Sequence, residues 1–333
     1  MVRRAGIVLA PADGEASISI ARRMGVSMPT VGKWRKRFIE NGLAALYDEH
    51  RPACPRTNDS SFFNCKRIGV NSNLQALADD NLVESIREHA RWQDDSECIE
   101  QDGLLLLAGA SRFPFPYHNC LIRVDPSVSA HQVLDRARDF FGARGRGFIL
   151  FVRADQDQDL DSLCQSNGLK PLADMPCMLI DEPFPPTHTP EDIRVEKLKE
   201  ERHVQDAISI NSEAYQVFGL TLETTRAIYG KPSRLLSSAN VTGHVLYREN
   251  RPLSTALTIF SGNSAGIYWV GTLPEAQRTG LGTICTQLAT NAGFQHGAST
   301  VSLQASPYGA PIYLRLGYKT YDRLKWYGHW KPK

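Results

Sequence analysis

The stretch Gln277-Arg278-Thr279-Gly280-Leu281-Gly282 constrains the fold of this chain more than any other. It follows an apolar, β-like run from Gly266 to Val270 and opens a run of helical periodicity that begins at Leu281. The first backbone N–H groups of a helix have no acceptor within the helix, and the helix dipole favours negative charge, so such a turn can seat an anion. Because glycine has no side chain, it lets the backbone approach a ligand closely. The sequence therefore predicts an α/β element that binds a pyrophosphate-like group.

Composition and charge are those of an ordinary globular chain with a basic N-terminal part. The 333 residues leave room for two or three domains, and 42% hydrophobic with 22% charged residues is typical of a soluble protein. Residues 1–57 hold ten Lys/Arg and five Asp/Glu, whereas the remainder is slightly acidic. A basic excess confined to one end indicates a module that binds a polyanion.

The cysteines and apolar runs exclude several classes of protein. Seven scattered cysteines without a CxxC pair predict reduced thiols in a cytoplasmic protein rather than a disulfide framework or a zinc site, so no metal is expected. The longest apolar run, Gly103 to Ala110, is too short to cross a bilayer, and no membrane partner is expected.

Turn-forming and proline-rich stretches divide the chain into segments. We predict a helical segment over residues 1–57, a linker over 58–73, and two α/β segments over 74–182 and 190–330. The last segment reads as a strand, helices, a three-strand meander, a helix, a strand, a short helix and a final strand, which predicts a mixed α/β sheet. The middle segment has a similar order, and Asn167-Gly168-Leu169 compares with Leu316-Gly317-Tyr318. An internal duplication and an unrelated α/β segment both fit this weak similarity.

Two motifs in the last segment resemble the GNAT family of acyl-CoA-dependent N-acetyltransferases. The family's phosphate loop, Q/R-x-x-G-x-G/A, corresponds to Gln277–Gly282, although a glycine usually stands where this chain has Arg278. The second motif is a tyrosine four residues before a Gly-aromatic pair, here Tyr313 before Gly317-Tyr318. The resemblance covers about residues 192–328 and implies a GNAT fold, with the middle segment as a degenerate second copy.

The resemblance also implies acetyl-CoA as the acyl donor and a set of site residues. The strand before the loop would offer its backbone to the pantetheine arm, with the Val270 N–H as an oxyanion donor, and Tyr313 would protonate the thiolate leaving group. Backbone N–H groups of the loop would hold the pyrophosphate, and Arg278 would add charge or remain a solvated surface residue. Tyr313 could instead be a packed core residue. The implied cofactor-binding residues are Val270, Gly271, Thr272, Gln277, Arg278, Thr279, Gly280, Leu281, Gly282 and Thr283.

The reaction and its acceptor are less closely defined by the sequence. The predicted activity is transfer of an acyl group by direct attack of an amine, either a small molecule or a peptide, in a ternary complex. The alternative is a DNA-binding regulator whose α/β part senses acyl-CoA without turnover. Four residues are conceivable general bases, namely Glu213, His244, Glu249 and Tyr268, and none is favoured. A chain of water molecules could also serve.

The N-terminal segment resembles the helix-turn-helix of IS630-type transposases and other homeodomain-like modules. Residues 17–37 give two short amphipathic helices around the turn at Gly25, and residues 42–56 continue the family's pattern. The resemblance implies DNA contact through residues 1–57. The residues expected to face a groove and its phosphates are Met28, Thr30, Lys33, Arg35, Lys36 and Arg37. A three-helix piece that no longer binds DNA also fits.

The middle segment contains no phosphate loop. Residues 153–159 carry the acidic run Asp155, Asp157 and Asp159, which would repel a pyrophosphate. We therefore predict no CoA site in this segment and interpret the run as the N-terminal region of a helix.

Overall fold

The computed structural model describes residues 71–110, 114–169 and 171–329, together with six separate positions nearer the N-terminus. Among those six, Ser19, Ala21 and Arg22 are helical, as are Pro29 and Val31, in agreement with the two helices predicted there. All six residues predicted to contact DNA lie outside the described part of the chain. The segment boundaries at residues 57, 73, 182 and 190 stay predictions.

Eight α-helices and eleven β-strands make up the region from residue 71 to residue 329. The helices are α1 (Ser72–Trp92), α2 (Ala130–Ala143), α3 (Gln158–Ser166), α4 (Glu201–Ala214), α5 (Leu222–Tyr229), α6 (Pro232–Ser237), α7 (Leu281–Gln295) and α8 (Ala310–Arg315). The strands are β1 (Glu97–Gln101), β2 (Leu104–Ala108), β3 (Asn119–Arg123), β4 (Phe148–Arg153), β5 (Ala173–Ile180), β6 (Ile193–Lys197), β7 (Val241–Arg248), β8 (Arg251–Ser261), β9 (Ser264–Thr272), β10 (Thr300–Gln304) and β11 (Lys319–His329).

Local sequence explains where several of these elements begin. The Asn71 side chain accepts a hydrogen bond from the Asn73 N–H at the start of α1, and Ser129 with Gln132 forms a capping box at the start of α2. Pro232 occupies the first turn of α6, where its missing N–H removes no helical hydrogen bond. Strand β2 is apolar throughout and buried on both faces, as expected of a strand inside a covered sheet.

All eleven strands form one continuous sheet in the order β1-β2-β3-β4-β11-β5-β10-β9-β8-β7-β6. Strands β3 and β4 are parallel, as are β9 and β10, and the other neighbours are antiparallel. Strand β5, the last of the middle segment, pairs with β10, whereas β11, the last of the third segment, pairs with β4. The two segments thus exchange their final strands.

Helices cover both faces of this sheet. Helix α1 packs with residues of β2, β3, β4 and β5, and it also contacts β8, β9 and β10 of the third segment. Helix α4 lies beside it on the same face, since Tyr247 of β7 donates to Asp206 of α4 and Tyr268 of β9 donates to Asn81 of α1. Helices α2 and α7 cover the opposite face. The middle segment therefore contributes directly to the core of the third.

Candidate active site

The parallel strands β9 and β10 separate near their C-terminal ends. They pair only from Thr300 to Ser302 against Ser264 to Gly266, after which β9 continues to Thr272 and β10 ends at Gln304. A gap between two parallel strands exposes backbone groups that would otherwise join the ladder. This gap lies beside the strand residues predicted to bind the pantetheine arm.

A β-bulge interrupts β9 within this gap. Leu257 of β8 pairs with Tyr268 of β9, and Thr255 pairs with Gly271. Two residues of β9, Trp269 and Val270, therefore lie opposite the single residue Ala256 of β8. Trp269 has φ 56°, a left-handed conformation that a bulky residue rarely adopts. The bulge changes which residues face α4.

The direction of the side chains on either side of the bulge confirms this change. Before it, Tyr268 faces α1 and donates to Asn81 Oδ1 at 2.9 Å. After it, Gly271 faces α4, because a Cβ built on Gly271 would lie 2.3 Å from Asn211 Oδ1. Val270 stands between them, and its carbonyl accepts a hydrogen bond of 3.0 Å from Tyr215 Oη. Residues 270–272 are thus placed at the split by a local irregularity of the strand.

The loop from residue 273 to residue 280 joins β9 to α7 and is held by its own polar groups. Thr279 Oγ1 donates to the Ala276 carbonyl at 2.6 Å, and Gln277 Nε2 donates to the Thr272 carbonyl at 3.4 Å. Arg278 has φ 63° and Gly280 has φ 90°. Both φ values lie in the left-handed region, which glycine adopts more readily than any other residue. This explains why a glycine usually stands at the position of Arg278 in the motif. The residues from Gln277 to Gly280 are exposed.

The N-terminus of α7 is open to a ligand. Gly280 provides no side-chain cap, so the first N–H groups of the helix have no acceptor within it. A Cβ on Gly280 would meet no atom within 4 Å, and one on Gly282 would meet only Thr272 Oγ1, at 3.2 Å. Leu281 is buried and fixes the helix on the sheet, and Thr283 is half-buried. This end of α7 therefore lies against the end of β9 and can receive an anion.

Tyr313 lies in α8, on the side of the sheet that α7 covers. Its ring packs against the backbone of Gly309 and lies 5.9 Å from the ring of Tyr318, whose hydroxyl is 2.7 Å from Thr290 Oγ1 of α7. The residue is 9% exposed, and burial raises the pKa of its hydroxyl to about 12. A phenol in this setting stays protonated at neutral pH and can donate a proton.

Tyr215 was not among the site residues predicted from the sequence. Burial raises the pKa of its hydroxyl, and the nearby Tyr313 raises it further. Its contact with Val270 comes from the end of α4, 55 residues earlier in the chain. A tyrosine at the end of an amphipathic helix gives no signal of that contact.

The four candidate bases are dispersed. Glu213 is exposed near the end of α4, and Glu249 is exposed in the turn between β7 and β8. His244 is buried in β7, where burial and then Lys197 lower its pKa to about 4. Tyr268 is bonded to Asn81 on α1. Within the described region, no hydrogen bond or ring contact joins any of the four to Val270 or Tyr313.

The middle segment has the same parallel pair, but charged side chains link its strand ends. Arg123 at the end of β3 donates to Asp157 at 2.9 Å and to Asp159 at 2.7 Å, while Arg153 at the end of β4 donates to Asp157 at 3.0 Å. The acidic run leads into α3, as predicted, and its Asp157 and Asp159 are paired with these arginines. The segment that corresponds to the phosphate loop is instead residues 124–129, where Ser129 caps α2. The acidic run therefore does not occupy the position of a phosphate loop.

The described residues offer neither a metal site nor a membrane-spanning helix. No group of three or more His, Cys, Asp or Glu side chains there is arranged to hold a metal ion. None of the described helices is long and apolar enough to cross a membrane.

Comparison with known proteins finds similarities for both parts of the chain. Residues 4–61 match a family model described as a winged helix-turn helix. A GCN5-related N-acetyltransferase from Kribbella flavida superimposes with a TM-score of 0.59 at 20% identity, covering 76% of this chain and 96% of that protein. A functionally unknown conserved protein from Staphylococcus epidermidis superimposes with a TM-score of 0.51 at 15% identity, covering 72% and 95%. No curated protein matches in sequence.

These matches cover more of the chain than residues 190–330 alone, so the middle segment belongs to the shared fold. The predicted resemblance is confirmed for the fold: a GCN5-related N-acetyltransferase fold of two exchanged α/β segments follows a winged helix-turn-helix sequence.

Proposed function

We propose that the protein is an acetyl-CoA-dependent N-acetyltransferase. The observation that carries the proposal is the position of the bulge at Trp269 and Val270, in the split between β9 and β10 and beside the open N-terminus of α7. Such a site offers backbone donors to a thioester carbonyl at one point and to a pyrophosphate at another. The solved GCN5-related structure supports the fold on which this geometry depends.

In this mechanism each residue acts on the donor or the acceptor by a defined atom. Backbone N–H groups from Arg278 to Thr283 would hold the pyrophosphate, and the Arg278 guanidinium would add positive charge. The Val270 N–H would stabilise the negative charge that develops on the thioester oxygen as the amine attacks. Tyr313 Oη would give its proton to the departing thiolate, and the proton lost by the attacking amine, passed through water, would restore the phenol.

The acceptor would enter from the face covered by α4. The rings of Trp269, Tyr215 and Phe218 follow one another from the bulge outward, with centroid separations of 5.8 Å and 5.8 Å, and Tyr308 lies 6.1 Å beyond Phe218. We propose that this row of rings contacts the body of the acceptor amine, so the test panel includes arylalkylamines, polyamines and peptides.

Release of free thiol from acetyl-CoA in the presence of each amine tests the activity. We expect turnover by the wild type with at least one amine and none by Gly280→Glu, whose carboxylate would repel the pyrophosphate at the start of α7. Acetyl-CoA binding without turnover on any amine would favour the regulator that senses acyl-CoA. Normal binding of CoA by Gly280→Glu would refute the phosphate-loop assignment.

The winged helix-turn-helix match favours a second function for the N-terminal part. We propose that residues 1–57 contact DNA through Met28, Thr30, Lys33, Arg35, Lys36 and Arg37. A gel shift with the full chain, followed over increasing salt, tests this, because phosphate contacts weaken steeply as counterions are added. The absence of any shift at low salt would contradict the proposal.

A further inference from the structure

Trp269 adopts a backbone conformation that must be stabilised by its surroundings. A left-handed conformation in a large residue persists only where packing and hydrogen bonds determine it. Two rings of the third segment lie nearby, Tyr229 with its centroid at 5.1 Å and Tyr215 at 5.8 Å. The indole N–H of Trp269 donates its hydrogen bond to a different part of the chain.

That hydrogen bond joins the bulge to α1. Trp269 Nε1 donates to His89 Nε2 at 2.7 Å, and His89 Nδ1 lies 2.6 Å from the Ser85 carbonyl. An indole nitrogen is only a donor, so Nε2 is the acceptor and the ring proton resides on Nδ1, where it bonds to Ser85. The hydrogen-bonding partners thus select one neutral tautomer of His89.

The ring of His89 is also fixed in orientation. It is fully buried, stacks on Tyr117 with centroids 4.1 Å apart and an angle of 19°, and lies 4.4 Å from the ring of Trp92. Burial lowers the pKa of His89 to about 4, against smaller opposite effects of Ser85 and Glu88. The imidazole therefore remains neutral, and Nε2 remains an acceptor, throughout the neutral pH range.

The C-terminal end of α1 is anchored to the third segment. The Trp92 carbonyl accepts from the Lys231 N–H at 2.8 Å, and the Gln93 carbonyl accepts from Arg234 Nη1 at 2.6 Å. Gly230 lies so close that an added Cβ would be 2.0 Å from the Trp92 carbonyl oxygen. His89 is one helical turn before this anchor, so its position relative to β9 is set by contacts from both segments.

We propose that His89, a residue of the middle segment, is a positioning residue for acyl transfer: it holds the indole of Trp269 and thereby the bulge that aims the Val270 N–H at the thioester carbonyl. The inference rests on the proposed acetyltransferase function. It assigns a role in the reaction to the segment that has no phosphate loop of its own. Tyr215, bonded to the Val270 carbonyl, holds the same bulge from the third segment.

Three variants at His89 and a neighbouring position test the role. His89→Leu keeps a side chain of similar size without an acceptor, whereas His89→Gln places an amide oxygen where Nε2 stands. Glu88→Leu is the matched control, because Glu88 Oε1 on the same helix accepts from another buried indole, that of Trp92, at 2.8 Å. Glu88 is equally buried, and its carboxylate accepts hydrogen bonds from Trp92 and Arg91 rather than from the bulge.

We expect His89→Leu to lower kcat at least tenfold with little change in the KM for acetyl-CoA, because the pyrophosphate seat on α7 is intact. His89→Gln should recover most of kcat. Glu88→Leu should lower the melting temperature as much as His89→Leu does, yet keep kcat within about threefold. Equal kcat in His89→Leu and Glu88→Leu would overturn the proposal, since His89 would then serve stability alone.

A readout without turnover separates this inference from the proposed function. In the wild type, acetyl-CoA should shift the amide NMR resonance of Val270, and the Trp269 indole proton should resonate downfield and exchange slowly. In His89→Leu the Val270 shift should be lost while the Kd for acetyl-CoA is unchanged. A wild type that binds acetyl-CoA and shifts Val270 but acylates no amine would refute the enzymatic function and leave the structural role of His89 supported. An unchanged Val270 shift in His89→Leu would refute the role of His89 even in an active enzyme.

Discussion

Arg278 shows how one residue can depart from a motif without changing the backbone. Its φ of 63° is the conformation that glycine adopts at little cost, and an L-residue in this region is less stable by about 1–2 kcal/mol. Under the proposed function, the Arg278 guanidinium would add positive charge to the site of the pyrophosphate at the start of α7. That contribution would offset the conformational cost.

Replacing Arg278 by glycine or by alanine separates these two effects. Both variants remove the charge and should weaken acetyl-CoA binding by a similar, salt-dependent factor. Arg278→Gly should be more stable than Arg278→Ala by about 1 kcal/mol, because only alanine is strained at positive φ. At Gln277, where φ is −66°, the same pair should show the opposite order of stability. Chemical denaturation of the four variants measures this, and the same order at both positions would contradict it.

Tyr313 should matter for turnover and much less for binding. Tyr313→Phe keeps the ring packed on Gly309 and removes the acidic proton, so kcat should fall by about 10²-fold while the KM for acetyl-CoA changes little. Since the pKa is raised to about 12, the wild type should show no loss of this acid below about pH 11. A pH profile of kcat measures both, and an unchanged kcat would assign Tyr313 to the core.

At the scale of elements, helices α2 and α7 occupy equivalent places in the two segments but differ in how their N-termini are capped. Helix α2 begins with Ser129, whose extended backbone lets its side chain cap the helix, and Gln132 returns the bond. Helix α7 begins with Gly280 in the left-handed region and has no side-chain cap. The N-terminus without a cap is the one that can receive a ligand.

A pair of alanine substitutions should separate stability from binding at these two ends. Ser129→Ala should lower the free energy of unfolding by about 1 kcal/mol without affecting the Kd for acetyl-CoA. Gly280→Ala should weaken acetyl-CoA binding, because it strains the loop that presents the N–H groups. Calorimetric titration and denaturation of both variants decide this. A change of affinity in Ser129→Ala would mean that the middle segment also binds the donor.

At the scale of the whole molecule, the exchange of β5 and β11 joins the two segments in one sheet. Strand β11 lies between β4 and β5, near the middle of the sheet, and Leu324 is fully buried. Neither segment can complete its sheet without the last strand of the other. The unit that unfolds should therefore include both.

Proline substitutions in a central and an edge strand test this unity. Leu324→Pro removes a donor from β11 and should destabilise the middle and third segments together. Val195→Pro in the edge strand β6, which has one neighbour, should open only β6 and the adjacent part of β7. Hydrogen exchange measures the difference, and protection retained in β1 to β4 of Leu324→Pro would contradict it.

A buried carboxyl group between segments should make this stability depend on pH. Asp79 of α1 accepts hydrogen bonds from Gln156 and from Tyr321 of β11. Burial raises the pKa of Asp79 to about 7; Arg153 lowers it in part, and Asp322 raises it further. Since the folded pKa exceeds the unfolded one, its contribution is full below about pH 4 and is lost as the pH rises through 7.

The loss amounts to about 4 kcal/mol at pH 8 and should be absent from Asp79→Asn, which stays neutral. We therefore expect Asp79→Asn to gain stability relative to the wild type as the pH rises from 5 to 8. Urea denaturation at several pH values measures this, and parallel curves for the two proteins would contradict it.

Much of this organisation could be predicted from local sequence. The glycine-spaced loop, the helix from Leu281 and Tyr313 before a Gly-aromatic pair are short-range patterns, and the comparisons confirm the fold they predict. Strands β1 and β5 have weaker local signals, because Glu97–Gln101 is largely polar and Ala173–Ile180 contains a proline. The bulge has no local signal, because nothing in Tyr268-Trp269-Val270 indicates a left-handed tryptophan.

The sequence by itself determined most of the elements and their order, and it predicted the anion-binding loop, because turns, caps and periodicity act over a few residues. Only the tertiary structure decided the exchange of final strands, the contact of Tyr215 with Val270 and the hydrogen bond from Trp269 to His89. Tyr215 and Val270 are 55 positions apart in the chain, and His89 and Trp269 are 180 positions apart. Such contacts depend on how distant elements pack in the folded chain, and local sequence patterns carry no information about that.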